Sequence, residues 1–329
     1  MKKILSSIGL TLVVLVSLLA LPSVSQAAPH KGGRIVNPGH GITHRAPSAP
    51  RTPFTGAGYY FAGGTQTFSG TDFVRGIGAN VLITQPFVPN TPNGGGAYDH
   101  SLADLVVNET TSGVTGNVME AFVAVEPNVW GDFKPHLGVC AWHNSVTNGC
   151  YTGGANWVDN GANPLNIGAD LTADIGTTKA LIVRYVTTGC GAASTGWWVQ
   201  YGSAQVGCYT PAAFSNSGFS TAKFVSANGE YYYNGVNNPG TGNDKPCGDM
   251  GNGNAGAIGT GAAYLSSFTI YDASPSTLTA SLTLTTPTDS NAYTAAFTSG
   301  TTTRSIYYGG AGYKFTAGVA STPGNVGSC

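Results

Sequence analysis

Residues Gly116–Asp132 read GNVMEAFVAVEPNVWGD. From Val118 to Val125 the run is apolar apart from one residue, and turn formers flank it on both sides, which reads as a buried strand. The exception is Glu120. A carboxylate set among Val118, Met119, Ala121 and Phe122 loses its hydration, so it needs a partner or a use for its proton. Glutamate is scarce in the chain, occurring only as Glu109, Glu120, Glu126 and Glu230, so each can be weighed separately.

The same texture extends in both directions. Short apolar or aromatic runs such as GANVLITQPFV, HSLADLVVNE, KALIVRYVTT, GWWVQYG, KFVSANGEYYY and AAYLSSFTIYD alternate with turn residues, at roughly ten-residue intervals. No sustained helical period survives between Tyr59 and Cys329. The tail segments TLTASLTLTTPTD, NAYTAAFTSG and TTTRSIYYGG continue the alternation with no linker before them. Charged residues make up only 9% of the chain, against 48 Gly and 16 Tyr, a balance that favours strands and turns over helices. The expected fold is all-β, an antiparallel β-sandwich of two sheets.

The N-terminus reads as an export signal over residues 1–27: MKK, an apolar run from Ile4 to Leu21, then Ser25-Gln26-Ala27. Residues 28–57 form a basic arm or short pro-segment, with Lys31, Arg34, Arg45 and Arg51 and no acid. Residues 58–329 form the expected β-sandwich domain, where eight Lys or Arg face fifteen Asp or Glu. The expected protein is secreted and extracellular, with no membrane attachment once the signal is removed. Its acidic body has no electrostatic footprint for nucleic acid. Gly251–Gly256, GNGNAG, matches G-x-G-x-x-G but lacks a βαβ context, so it reads as a loop.

Six cysteines follow the signal: Cys140, Cys150, Cys190, Cys208, Cys247 and Cys329. An even count in an exported chain reads as disulfides, with fifteen pairings combinatorially open. Cys140 with Cys150 and Cys190 with Cys208 are expected because each pair brackets a hairpin; Cys247 with Cys329 follows by elimination. No C-x-x-C occurs, and His136 and His143 lack a metal-site spacing, so no metal is expected.

Glu120 needs a partner carboxyl for acid–base work. Glu126 lies six residues on, roughly 20 Å along a straight strand, whereas paired glycosidase carboxyls stand about 5–9.5 Å apart. Glu126 also precedes Pro127, which reads as a strand end with a solvated carboxylate. Glu230 is the remaining candidate. Asn228-Gly229 before it permits a tight turn or bulge, and Tyr231, Tyr232 and Tyr233 follow. On residues alone, a strand-end surface glutamate reads the same way.

Several segments, taken in order, resemble one family. GNVMEAFVAVEPNVWGD, HLGVCAWHNSVTNGCYTGG, TGWWVQYGSAQVGCYTPAAF, FVSANGEYYYNG, DMGNG, AAYLSSFTIYD, DSNAYT and IYYGGAG are similar to successive segments of the neprosin family of secreted glutamic peptidases, over roughly Tyr59 to Tyr313. The resemblance implies Glu120 and Glu230 as the catalytic pair on a β-sandwich, hydrolysing peptide bonds at acid pH, with cleavage after proline. It departs from the family in its short arm, in the cysteine spacing around Cys150 and in Asn-Gly-Glu where the family has Gly-Gly-Glu.

Such a mechanism needs one ionised carboxyl to activate water and one protonated carboxyl to polarise the carbonyl or protonate the leaving nitrogen. Glu120, with the more apolar neighbours, is assigned the proton; the reverse assignment uses the same two residues. Trp130, Trp197, Trp198, Tyr231 and Tyr232 are candidates to line the cleft, and each reads equally as a core or strand-surface aromatic. The expected protein is a monomer acting on peptide or protein substrates without a cofactor. Two other classes fit the same composition: a glycoside hydrolase with paired carboxylates, and a non-catalytic carbohydrate-binding or adhesive sandwich.

Overall fold

In the computed structural model the described residues are 58–90, 96, 98–111, 115–144, 146–151, 153–161, 165–214, 218–235, 246, 248–272, 280–287, 292–298 and 305–312. The export signal, the basic arm, Cys247 and Cys329 lie outside them. In chain order the first strands are β1 (Gly58–Thr67), β2 (Val74–Leu82), β3 (His100–Asn108) and β4 (Asn117–Val125), then the short helix α1 (Pro127–Trp130). There follow β5 (His136–His143), β6 (Val146–Cys150), β7 (Trp157–Asp159), β8 (Thr178–Cys190), β9 (Ser194–Tyr201) and β10 (Ala204–Tyr209). The chain continues with β11 (Phe224–Tyr233), β12 (Ala263–Asp272), β13 (Thr283–Leu284), β14 (Thr294–Phe297) and β15 (Ser305–Gly309).

These strands form the expected pair of antiparallel sheets. One has seven strands in the order β13-β1-β11-β3-β4-β5-β6, the other eight in the order β14-β15-β12-β2-β8-β9-β10-β7. Sequence alternation sets the faces, because successive side chains of a strand point to opposite sides. Leu105, Met119, Val123, Val139 and Ala227 of the first sheet join Ile77, Leu181, Val183, Val199 and Leu265 of the second in one buried core. Each such aliphatic side chain contributes about 1.5–3 kcal/mol on full burial. The tail is built into both sheets: β13 pairs with β1, and β15 bridges β14 and β12.

Two of the expected disulfides are present. Cys140–Cys150 ties β5 to β6, and Cys190–Cys208 reaches from the end of β8 to β10 across β9. Disulfides of this kind suit an oxidising compartment. Among the described residues no helix is long and apolar enough to cross a membrane.

One local expectation is corrected. Asn228-Gly229 is neither a turn nor a bulge: β11 runs straight through it, in unbroken register with β1 on one side and β3 on the other. Gly229 faces the core, where a Cβ would collide with the ring of Tyr308, so the missing side chain makes room for an aromatic. Gly229→Ala is expected to destabilise the fold by about 1–3 kcal/mol, the range for overpacking a filled core. A chemical denaturation midpoint equal to wild type would contradict this packing.

Candidate active site

Among the described residues, the face of the seven-stranded sheet opposite the core carries most of the buried charge. On the central strand β3 the residues of that face are His100, Leu102, Asp104 and Val106. Leu102 stands opposite Glu230 of β11 and Ala124 of β4, while Val106 stands opposite Glu120 of β4. Asp104 therefore lies between the two glutamates on a diagonal across three strands. Two strand spacings and four residues of offset put the Glu120 and Glu230 Cα atoms on the order of 16 Å apart. Both side chains must lean inward over Asp104 to act on one bond.

All three carboxyls are buried, with Glu120 3%, Glu230 2% and Asp104 0% exposed. Burial is the main cause that lifts each of their pKa values. Their remaining neighbours differ. Glu120 is hydrogen-bonded to the Asp104 side chain and feels the charges of Asp104 and Glu230, which hold it well above the ordinary carboxyl range. Asp104 is raised to about 8 by burial and by Glu230, although it accepts a hydrogen bond from the Asn228 main-chain N at 2.9 Å. Glu230 is also raised by burial, but His100 pulls it back down. Its Oε1 lies 3.3 Å from His100 Nε2, and its Oε2 has no hydrogen-bond partner among the described residues.

Glu126 corrects a second expectation. It is 2% exposed rather than solvated, and its Oε2 stands 2.5 Å from His100 Nδ1. The local sequence explains the turn inward. In Glu-Pro-Asn-Val-Trp-Gly, Glu126 caps α1 by accepting from the Asn128 N at 3.1 Å, Pro127 takes the first helical position, and Gly131 closes the helix with φ 74°. Tyr151, beside the Cys140–Cys150 disulfide, donates its hydroxyl to Glu126 at 3.3 Å.

The sequence-derived aromatic candidates divide. Tyr232 shares the face of Glu230 and stacks on His100 with ring centroids 4.9 Å apart. Trp130 packs edge-on to Tyr151 at 5.8 Å and stacks on His136 at 4.6 Å, beside the cluster of Leu102, Phe122 and Tyr151 on the same face. Tyr231 points the other way, fully buried in the core with its hydroxyl on Asp99. Trp198 packs against the Cys190–Cys208 disulfide on the eight-stranded sheet, and Trp197 is in the core. These three do not join the site. His100 and Asp104 are the two site residues the sequence reading passed over.

A stability consequence follows from the shared direction of these shifts. Asp104 and Glu120 hold protons more tightly when folded than when unfolded, and burial, only partly offset by hydrogen bonds from Tyr231 and Asn234, leaves Asp99 raised to about 6. His100, between Glu126 and Glu230, is raised to about 10. Between the unfolded and folded pKa of each group the folded state binds more protons, so stability falls as pH rises. The carboxyl contribution is lost from the ordinary carboxyl range up to about pH 8, and that of His100 from about 6.5 to about 10. The denaturant midpoint is expected to be higher at about pH 4 than at about pH 8; the reverse order would contradict these protonation states.

Among the described residues no group of three His, Cys, Asp or Glu side chains is arranged to hold a metal ion. A search of curated proteins returns no match. The family model described as Neprosin matches residues 97–311, a stretch that includes β3, β4, α1 and β11 and hence every residue of the carboxyl cluster. That family is associated with peptidase activity. With most of the chain inside the match and the two-sheet fold in place, the chain belongs to the neprosin family.

Proposed function

We propose that the protein is a secreted glutamic endopeptidase in which Glu230 is the general base and Glu120 the general acid. The observation that carries this reading is the opposite setting of the two glutamates on one sheet face. Glu120 adjoins another acid, Asp104, whereas Glu230 adjoins His100. Two adjoining buried acids resist ionising together, so Glu120 keeps its proton; a carboxyl beside an imidazolium gives its proton up.

The chemistry uses that inequality. Glu230 takes a proton from water as the water oxygen attacks the peptide carbonyl carbon. Glu120 donates its proton to the carbonyl oxygen as charge develops there. Collapse of the tetrahedral species breaks the C–N bond, and the proton held by Glu230 passes to the leaving nitrogen. The pair then differs from its starting state by one proton, which Glu120 recovers when the carbonyl re-forms.

The pH dependence follows with its sign. Activity rises as Glu230 ionises and falls as Glu120 loses its proton. Burial and Asp104 hold that second event well above the ordinary carboxyl range, so activity extends from acid toward neutrality rather than collapsing before it. Tyr232, stacked on His100 beside Glu230, and Trp130, packed on Tyr151, are aromatic surfaces on this face, and a proline ring, fixed in φ, loses little entropy on stacking there.

Digestion of a mixed peptide library followed by mass spectrometry tests the reading. Cleaved peptides enriched in proline on the N-terminal side of the cut bond are expected. Cleavage without that enrichment removes the specificity. Release of reducing sugar from polysaccharide with no peptide cleavage overturns the reaction class.

A further inference from the structure

We infer that His100 is a positioning residue that carries a positive charge between Glu126 and Glu230 and thereby keeps Glu230 the ionised member of the pair. This inference rests on the proposed roles of Glu120 and Glu230 and names the group that sets them.

The geometry is that of an imidazole held from both ends. Nδ1 lies 2.5 Å from Glu126 Oε2 and Nε2 lies 3.3 Å from Glu230 Oε1, on a residue 1% exposed. A neutral imidazole has one N–H and one bare nitrogen, and a bare nitrogen against a carboxylate oxygen is repulsive. With both glutamates ionised, both contacts are favourable at once only when both nitrogens carry protons. The arrangement is anchored on every side. Glu126 is fixed by capping α1 and by the Tyr151 hydroxyl, and the ring lies flat on Tyr232, with interplanar angle 20°.

The titratable groups facing His100 come from four neighbouring elements. They are Glu126 from the end of β4, Glu230 and Tyr232 from β11, Tyr59 from β1 at 6.1 Å between ring centroids, and Tyr151, after β6, through its bond to Glu126. Asp99, next in sequence, adds a further acidic neighbour. Acids dominate this list, so charge on the ring is compensated: burial on its own lowers the His100 pKa, but the charges and hydrogen bonds of Glu126 and Glu230 together outweigh it.

Without this cation, Glu230 would be a buried carboxyl subject mainly to desolvation and to the field of Glu126, both of which favour its protonated form. A protonated Glu230 cannot take a proton from water. The histidine thus acts through Glu230 and not on substrate.

Two measurements test this. In ring-15N histidine-labelled wild-type protein, the His100 nitrogens, assigned by their loss in His100→Gln, are expected to keep imidazolium shifts through neutral pH. A His100 that titrates to the neutral form at or below the ordinary histidine value of about 6.5 overturns the inference. In His100→Gln, which keeps hydrogen-bonding capacity but not charge, the acidic limb of kcat/KM is expected to move up by about one pH unit. In acid this costs about tenfold in rate, while KM changes little. A uniform loss at all pH values, with the limb in place, marks a merely structural role and also overturns it. Either outcome leaves the glutamate pair standing, because that reading fails on a different result: folded Glu230→Gln that retains activity.

Discussion

Glu120→Gln and Glu230→Gln are each expected to lower kcat on a peptide substrate by at least about a hundredfold, the scale of losing a general acid or base, with folding preserved. Glutamine keeps the shape and one carbonyl acceptor of glutamate but neither titrates nor exchanges a proton. The cost to folding is small for a specific reason. Both side chains are buried at 3% and 2% exposure; a neutral isostere suits the protonated Glu120, and at Glu230 the glutamine carbonyl still accepts from His100 while Glu126 balances the imidazolium charge. Because water activation and carbonyl protonation serve one transition state, the losses are expected to be non-additive, with the double variant hardly slower than either single one. Circular dichroism serves as the folding control. Substantial activity in either folded single variant removes that residue from the mechanism.

Asp104→Asn is expected to shift the pH profile from its other side. In the wild type, Glu120 donates to Asp104 and feels its charge, and both effects raise the Glu120 pKa. The two behave as one coupled acid pair, so their proton losses belong to the pair. With asparagine in place, Glu120 keeps its burial and the field of Glu230 but loses the shared proton, so its pKa falls. The alkaline limb of kcat/KM is therefore expected to move to lower pH by at least about one unit, which makes activity just above the new limb at least about tenfold lower than wild type. Activity in acid is retained. An alkaline limb that stays in place or moves upward would mean that Asp104 does not govern the Glu120 proton.

The two limbs thus answer to different neighbours, His100 for the acidic one and Asp104 for the alkaline one. Both neighbours are on β3, in the segment HSLADLVVN, and that segment shows what the sequence made legible and what it did not. Alternation identified it as a strand, as it did VMEAFVAVE and KFVSANGEYYY, and the two-sheet architecture and both observed disulfides followed from the same hairpin logic. Glu120 stood out because it interrupts an apolar run. His100 and Asp104 share one face at period two with Leu102, which is the same signal in a less apolar strand, and polar residues near a strand's start usually mean solvent. Only the pairing of β3 between β11 and β4 turns that face into a charged site.

The other misreadings have equally local causes. Glu126 was read as solvated because Pro127 follows it, yet the same proline at the first position of α1 marks Glu126 as the helix cap. Tyr231 was taken with Tyr232, although strand parity puts only Tyr232 on the face of Glu230. Asn228-Gly229 carries a strong turn signal, but Gly229 answers to the ring of Tyr308, and no local pattern reports a contact with a residue so distant in sequence.

The scarcity of glutamate permits a direct test of unequal protonation in the pair. Selective side-chain 13C-carboxyl labelling of glutamate marks only Glu109, Glu120, Glu126 and Glu230, and the Glu120→Gln and Glu230→Gln variants assign the two that matter. The expected titration has the Glu120 resonance remaining in its protonated position well above the ordinary glutamate value of about 4.3, after Glu230 has already ionised. A Glu120 resonance that titrates with or before Glu230 would contradict the assignment of acid and base on which the mechanism depends.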